Sequence, residues 1–251
     1  MAVLARLRKE HVFDGLDRAQ EALIRLFSGD HLGKLVVELE GGIPMNDTEV
    51  WITIAAERIE LAEFLETLTP EEWDAQSLCE EWKVRDVVAH LIFVTELGVG
   101  RGLVGVAKSG FNPNKYVARA AIAAGKQPPE DLQKQLRDLA SSQKLPPLRK
   151  PWHLLADTVV QHQDIRRPLG KPRAIPAERV IGALGVANGI AGSGIKQRIA
   201  GLRLIATDME WEHGDGPEVR GTGEALLMTL SGRARSLDEL TGEGVARLRA
   251  R

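Results

Sequence analysis

The stretch LTPEEWDAQSLCEEWKVRDVVAHL, residues 68–91, contains two helix starts and carries most of the information on the fold. Thr69, followed by Pro70 and two glutamates, is typical of a capped helix N-terminus, because Thr accepts from free N–H groups and Pro suits the first helical position. A second, longer helix is predicted over residues 83–97. His90 lies at the flank of its apolar stripe and therefore faces the protein interior. On this pattern His90 is either a hydrogen-bonded core histidine or a site residue.

Helical patterns continue on both sides of this stretch. Apolar residues along one stripe predict a helix over residues 49–67. Two more helices are predicted over residues 118–140 and 152–167, the last of them ended by Pro168. Four helices of this kind are typical of an up-and-down four-helix bundle or a relative of one.

After residue 172 the sequence changes to shorter elements with glycine-rich turns. They are predicted in this order: a helix over 177–191, strands over 202–207 and 218–220, and helices over 224–230 and 243–249. The segment 213–216, HGDG, predicts a hairpin turn between the strands, because Asp-Gly favours tight turns. We therefore expect an α+β protein, with a helical bundle over residues 45–171 and a small α/β domain over residues 172–251.

We predict that residues 1–44 form a short N-terminal helix–strand extension, with a short helix, a turn, a second helix and a strand over residues 1–40. Helical periodicity over residues 17–27 and a β-branched run over residues 34–39 predict its elements. Residues 13–39, FDGLDRAQEALIRLFSGDHLGKLVVEL, resemble the C-terminal end of medium-chain, quinone-reductase-type NADP-dependent oxidoreductases. In that family this stretch holds little of the nucleotide pocket, and the glycines of residues 98–105 do not follow the GxGxxG spacing. A whole-chain oxidoreductase is therefore disfavoured.

Composition excludes several classes of function. The formal net charge is −2, so no basic excess indicates a nucleic acid or an anionic membrane as partner. The single cysteine, Cys79, excludes an internal disulfide and a Cys-only zinc site; it is either a small packed residue or a reactive thiol. No apolar stretch approaches the ~20 residues that span a bilayer, and no apolar signal segment follows the N-terminus. We expect a soluble, cytoplasmic protein.

The helix predicted over residues 152–167 places polar side chains toward the core. Asp157, Thr158 and Gln161 lie on or beside its inward face. Because unpaired buried polar groups are costly, these residues form either a buried hydrogen-bond network or a metal site built from two helices. Asp157 and Gln161 are four residues apart, so their side chains can converge on one point, which His90 can reach from the other helix.

Several separated blocks resemble the mycothiol-dependent maleylpyruvate isomerase-like family, within the DinB-like metalloenzymes. The blocks are residues 68–91, residues 157–170 (DTVVQHQDIRRPLG), and residues 201–233 and 237–251. The resemblance runs from about residue 45 to residue 251 and implies a DinB-like bundle followed by a small α/β domain. It also implies a divalent metal, usually zinc, between bundle helices, and mycothiol as the thiol cofactor.

Carried over by position, the resemblance makes His90 the first metal ligand. Asp157 and Gln161 stand where the family has a carboxylate and a histidine. Asp for Glu keeps the charge, but an amide oxygen is a poorer zinc ligand than an imidazole. The neighbouring His162 is turned ~100° away and joins the ligands only if the helix is locally distorted.

The resemblance implies a metal- and thiol-dependent isomerase or transferase. Its partners are a small thiol and a small electrophilic substrate, with no nucleic acid and no membrane. The alternative is a non-catalytic binding module that keeps the fold but has a degraded metal site.

Overall fold

The computed structural model describes residues 45–146, 149–187 and 195–251, and only the backbone at residues 10–14, 34–38 and 186–187. The chain divides into two compact units, Met1–Gly42 and Ile43–Arg251. In the first unit, strands β1 (Glu10–Asp14) and β2 (Lys34–Glu38) pair in parallel. Strand β2 confirms the predicted strand, and β1 was missed by the sequence pattern. The helix predicted over residues 17–27 lies outside the described residues.

The second unit begins with a run of helices. They are α1 (Asp47–Leu65), α2 (Pro70–Trp73), α3 (Val84–Glu96), α4 (Val99–Lys108), α5 (Pro113–Ala124), α6 (Pro129–Asp138), α7 (Pro151–Arg166) and α8 (Ala177–Ala187). The predictions over residues 49–67, 83–97 and 152–167 are confirmed as α1, α3 and α7. No helix in the described part of the chain combines the length and apolar composition of a membrane span.

Side-chain caps explain where the first two helices begin. Asn46 accepts hydrogen bonds from the backbone of the first turn of α1, and Glu49 accepts one from the Asn46 N–H. Thr69 and Glu72 make the same reciprocal pair at α2, and the predicted Thr69 cap is thereby confirmed. Such caps satisfy N–H groups that the helix itself leaves free.

The single helix predicted over residues 118–140 is wrong, because the chain forms α5 and α6 there. The break begins at Gly125, which lies so close to α3 that an added Cβ would fall 2.1 Å from Asp86 Oδ1 and 3.1 Å from Asp86 Cα. Pro128 and Pro129 follow, and neither has an N–H group to continue a helix. The turn therefore follows from a contact with another helix combined with local proline chemistry.

Helix α7 lies at the centre of the packing. α1 packs on α6 and α7, α3 packs on α5, α6 and α7, and α8 packs on α7. Buried apolar side chains form two clusters, one including Leu61, Val87, Leu132 and Ile165, and a larger one including Ile54, Leu155, Leu184, Leu204 and Leu226. The larger cluster joins α1 and α7 to the C-terminal elements. A domain boundary at residue 172 stays a prediction.

The C-terminal elements form a small α/β region. They are α9 (Ile195–Ile199), β3 (Arg203–Ala206), β4 (Glu212–His213), β5 (Glu218–Gly221), α10 (Gly223–Leu230), a 3-10 helix (Ala234–Glu239) and α11 (Val245–Arg249). The strand order is β4-β3-β5, with β4 antiparallel and β5 parallel to β3. The protein is thus mostly helical with a small three-stranded sheet, which confirms the α+β class.

The predicted hairpin turn at residues 213–216 is wrong. This segment connects β4 to β5, which lie on opposite edges of β3. Gly214 and Gly216 have φ angles of 80° and 125°, and a Cβ at either position would approach a backbone oxygen of Leu202 or Gly201 to 2.4 Å. The chain thus passes so close to the backbone just before β3 that a residue with a side chain would not fit at these two positions.

Candidate functional site

Two of the predicted site residues meet where α3 packs on α7. His90 Nε2 of α3 lies 3.3 Å from Asp157 Oδ2 of α7. The His90 side chain is 9% exposed, and that of Asp157 is 34% exposed. Asp157 is thus the more exposed member of the pair.

The surroundings of this pair favour a charged carboxylate. Burial alone would raise the pKa of Asp157, but the charge and hydrogen bond of His90, the charge of Arg233 and a hydrogen bond with Gln161 together hold it below its usual range. The indole ring of Trp82 lies 4.9 Å from the imidazole of His90. His90 Nδ1 is buried and has no hydrogen-bond partner among the described residues.

Gln161 connects the pair to a second group of polar side chains. Its Oε1 lies 3.8 Å from Cys79 Sγ, which also donates to Asp164 Oδ2 at 3.4 Å. Arg233, which follows α10, forms an ion pair with Asp164 and places Nη2 3.4 Å from Cys79 Sγ. Three regions that are distant in sequence therefore meet at this site: α3 with the chain just before it, α7, and the chain after α10.

Cys79 is a packed thiol in this arrangement. Burial raises the pKa of Cys79 to about 12, and the negative charge of Asp164 adds to the effect. The thiolate is the nucleophilic form of cysteine, and it is scarce at neutral pH in this setting. Of the two alternatives for Cys79, a small packed residue is therefore favoured over a reactive thiol.

Arg233 and Asp164 are site residues that the sequence analysis did not assign. Asp164 is fully buried and belongs to α7, whereas Arg233 lies 69 residues later in the chain. No local spacing connects the two. The position of Arg233 at the end of the resembling block 201–233 was the one available signal.

His162 lies on the other side of α7, away from His90. Its ring is fully buried, with Nδ1 2.9 Å from Glu57 Oε1, and Nε2 accepts a hydrogen bond of 2.8 Å from Arg166 Nε. Helix α7 is α-helical from Pro151 to Arg166, so one residue turns the side chain ~100° from Gln161. The structure therefore does not bring His162 to the predicted metal ligands.

The Glu57 cluster consists of Glu57, Glu60, His162, Arg173 and Arg179. Arg173 and Arg179 both pair with Glu57 and with Glu60. Burial opposes ionisation of Glu57, but hydrogen bonds and charge from His162 and Arg173 outweigh it and lower its pKa to about 2. Burial lowers the pKa of His162 to about 4. The cluster is thus an ion-pair network with a neutral histidine.

The donor atoms at His90 partly fit a divalent metal. No group of three His, Cys, Asp or Glu side chains is placed to hold a metal ion within the described residues. Metal–ligand bonds of about 2.0–2.2 Å give a tetrahedral site edges of about 3.3–3.5 Å. The separation of His90 Nε2 and Asp157 Oδ2, 3.3 Å, matches such an edge. Gln161, the third predicted ligand, has its amide oxygen 3.8 Å from Cys79 Sγ, and an amide oxygen is a weaker zinc ligand than an imidazole. Metal binding by these three residues stays a prediction.

Part of this chain is similar to a known family domain. Residues 54–144 match the mycothiol maleylpyruvate isomerase N-terminal domain. The matched segment includes His90 and ends before α7, so Asp157 and Gln161 lie beyond it. No curated protein sequence matches the chain.

Two solved structures share the fold. They are a mycothiol-dependent maleylpyruvate isomerase and a histidine-to-alanine mutant of such an enzyme, with TM-scores of 0.51 and 0.54 and 15% sequence identity. Each alignment covers 79% of this chain and 93% of the other. At this identity the likeness establishes the fold alone. The oxidoreductase resemblance of residues 13–39 gains no support from these comparisons.

Proposed function

We propose that this chain is a thiol-dependent isomerase or transferase of the maleylpyruvate isomerase type, which acts on a small electrophile. The observation that carries the proposal is the His90–Asp157 pair, with its 3.3 Å separation and an Asp157 side chain that is one-third exposed. The family match to the N-terminal domain, which contains His90, supports mycothiol as the thiol.

The arrangement of helices around the pair supports the same proposal. α1 and α3 each pack on both α6 and α7, as in a four-helix ring. In bundles of this kind, side chains on facing helices build the metal and cofactor sites. We propose a DinB-like bundle over residues 45–171, with the α/β region over residues 172–251 supplying Arg233.

In this proposal His90, Asp157 and Gln161 would hold a divalent metal, with zinc as the family's usual ion. A bound zinc ion supplies Lewis acidity, which lowers the pKa of a coordinated thiol so that it is a thiolate at neutral pH. Asp157 contributes a carboxylate that stays ionised at neutral pH because its pKa lies below the usual range. The proposal leaves His162 out of the ligands, since Glu57 and Arg166 form hydrogen bonds with both of its ring nitrogens.

Arg233 indicates what kind of electrophile suits the site. Its side chain is 18% exposed and reaches the Cys79–Gln161 group from the C-terminal region. Asp164 neutralises part of its charge, but Arg233 still lowers the pKa of Asp157. A positive charge at this place suits a small substrate that carries a carboxylate.

Metal affinity is the experiment that tests the proposed ligands. Zinc binding is measured by titration calorimetry for the purified chain and for Gln161→His, with Gln197→His as the control that adds a histidine on the exposed surface. Mutations of residues that hydrogen-bond to metal ligands alter metal affinity by about 10–100-fold. We therefore expect Gln161→His to raise zinc affinity by at least about tenfold, Gln197→His to leave it unchanged, and His90→Ala to abolish it. Unchanged affinity in Gln161→His refutes the ligand assignment.

The Gln161 amide also favours the second candidate, a non-catalytic binding module. The two candidates differ in what the unmodified chain does with zinc and mycothiol supplied. Isomerisation of a small electrophile, or thiol transfer onto one, by the unmodified chain would show that the protein is an enzyme. Absence of both zinc binding and turnover in the unmodified chain, together with zinc binding in Gln161→His, assigns the binding module.

A further inference from the structure

Helix α4 displays an apolar surface that the candidate site does not use. None of its ten residues is buried. Four apolar side chains in and just after the helix have large exposed fractions: Val99 60%, Leu103 69%, Val104 56% and Phe111 82%. We call these four residues, together with Arg101 and Lys108, the α4 surface. Several large apolar side chains exposed on one short segment are a common feature of binding surfaces.

The α4 surface is held in place by α5 and α3. The ring of Tyr116 lies over Gly105, where an added Cβ would approach it to 2.1 Å, and its hydroxyl donates to the Arg101 carbonyl at 3.4 Å. Phe93 of α3 meets Tyr116 edge to face at 5.6 Å. Because the inward side of α4 is fixed in this way, Leu103 and Val104 are presented to solvent by the packing.

Phe111 adds a strained backbone to this exposed surface. Its φ angle is 59°, in the left-handed region that is costly for a residue with a large side chain. The Phe111 N–H donates to the Val106 carbonyl at 2.9 Å, which closes the end of α4 after Gly110. In such helix ends the residue at this place commonly packs back on the helix, but the Phe111 ring is 82% exposed. The Phe111 ring therefore adds little packing to the fold that could offset the backbone strain at this residue.

The charge around α4 differs from that of the whole chain. Residues 97–129 contain no Asp or Glu, whereas the whole chain carries a formal net charge of −2. The segment has five cations: Arg101, Lys108, Lys115, Arg119 and Lys126. Arg101 and Lys108 also border a groove of about 370 Å³ that Val104 and Tyr116 line. This local positive charge disfavours a second copy of the same surface as partner and favours an anionic one.

We propose that the α4 surface docks on an anionic phospholipid bilayer. Phe111, Leu103 and Val104 enter the boundary between headgroups and acyl chains, while Arg101 and Lys108 bind lipid phosphates. Exposed aromatic and aliphatic side chains beside basic ones are the composition of peripheral membrane contacts. The contact is peripheral and does not depend on the catalytic proposal.

Vesicle co-sedimentation of the full chain tests this inference. The probe is phosphatidylcholine vesicles with and without phosphatidylglycerol. Phe111→Asn removes the ring and suits a left-handed backbone, so it keeps the fold. Arg101→Gln with Lys108→Gln removes two cations, and the matched control removes two exposed lysines elsewhere, with Lys144→Gln and Lys196→Gln.

We expect binding to the anionic vesicles only, and weaker binding at high salt. Each basic residue at such a surface changes the partition coefficient by about fivefold, so the double variant at α4 should lose about 25-fold and the control pair much less. Phe111→Asn should weaken binding with an unchanged or higher melting temperature. Equal sedimentation with both vesicle types, equal losses in the two double variants, or binding of a soluble acidic polypeptide without vesicle binding would each overturn the proposal.

Discussion

Replacing Glu57 with Gln measures how far the Glu57 cluster stabilises the packing of α1 on α7. Glu57 is fully buried and accepts hydrogen bonds from His162, Arg173 and Arg179. Gln keeps the shape but leaves two guanidinium groups without their buried counter-charge. Removing one partner of a buried ion pair costs about 3–5 kcal/mol, a large share of the about 5–15 kcal/mol that stabilises a typical domain.

Glu60→Gln is the matched control for this change. Glu60 pairs with the same two arginines, but its side chain is 37% exposed, so water screens the interaction and the expected loss is about 0–1 kcal/mol. Both variants are unfolded in urea and followed by the fluorescence of the five tryptophans. Equal free-energy losses for Glu57→Gln and Glu60→Gln, or a loss below about 1 kcal/mol for the first, would refute the role given to burial.

Three further predictions concern single side chains. Burial lowers the pKa of His162 to about 4 from the usual value of about 6.5, so the unfolded chain takes up the proton first. Stability that is full above about pH 6.5 is therefore lost as the pH falls toward 4. His162→Gln should reduce this slope in urea midpoints measured against pH, and an unchanged slope contradicts the assignment. Gly105→Ala drives a Cβ into the Tyr116 ring and should cost about 1–3 kcal/mol. Gly102→Ala, where an added Cβ makes only ordinary contacts on the same helix, should raise the free energy of unfolding by about 0.5–1 kcal/mol. A higher melting temperature for Gly105→Ala than for Gly102→Ala rules out this packing. Because burial raises the pKa of Cys79 to about 12, iodoacetamide should label it slowly in the native protein and rapidly in urea; fast native labelling would show an accessible thiolate.

Features fixed by neighbouring residues could be predicted from the sequence. The Thr69 cap depends on a side chain and an N–H group three residues away, and the structure has it as predicted. The inward placement of His90 and the approach of Asp157 to Gln161 follow from helical spacing, which the chain keeps in α3 and α7. In each case the interaction is decided within one or two helical turns.

Features fixed by distant residues could not be predicted in this way. The break at Gly125 depends on the approach of α3 at Asp86, and the parallel pairing of β5 with β3 depends on which edge of the sheet is free. Arg233 reaches the candidate site across 69 residues, and His162 finds Glu57 across 105. Local patterns carry no record of these partners, so the sequence analysis could offer His162 as a metal ligand on the condition of a locally distorted helix.

Helix α7 is held at a fixed rotation about its own axis. One side of it presents Asp157 and Gln161 toward His90, while another presents His162 to Glu57. Because one residue of slippage turns every side chain by ~100°, the helix cannot adjust one set of contacts without disturbing the other. Glu57 therefore helps to position the Asp157 carboxylate without contacting it. Its hydrogen bond with His162, on the opposite side of α7, fixes the direction in which Asp157 points.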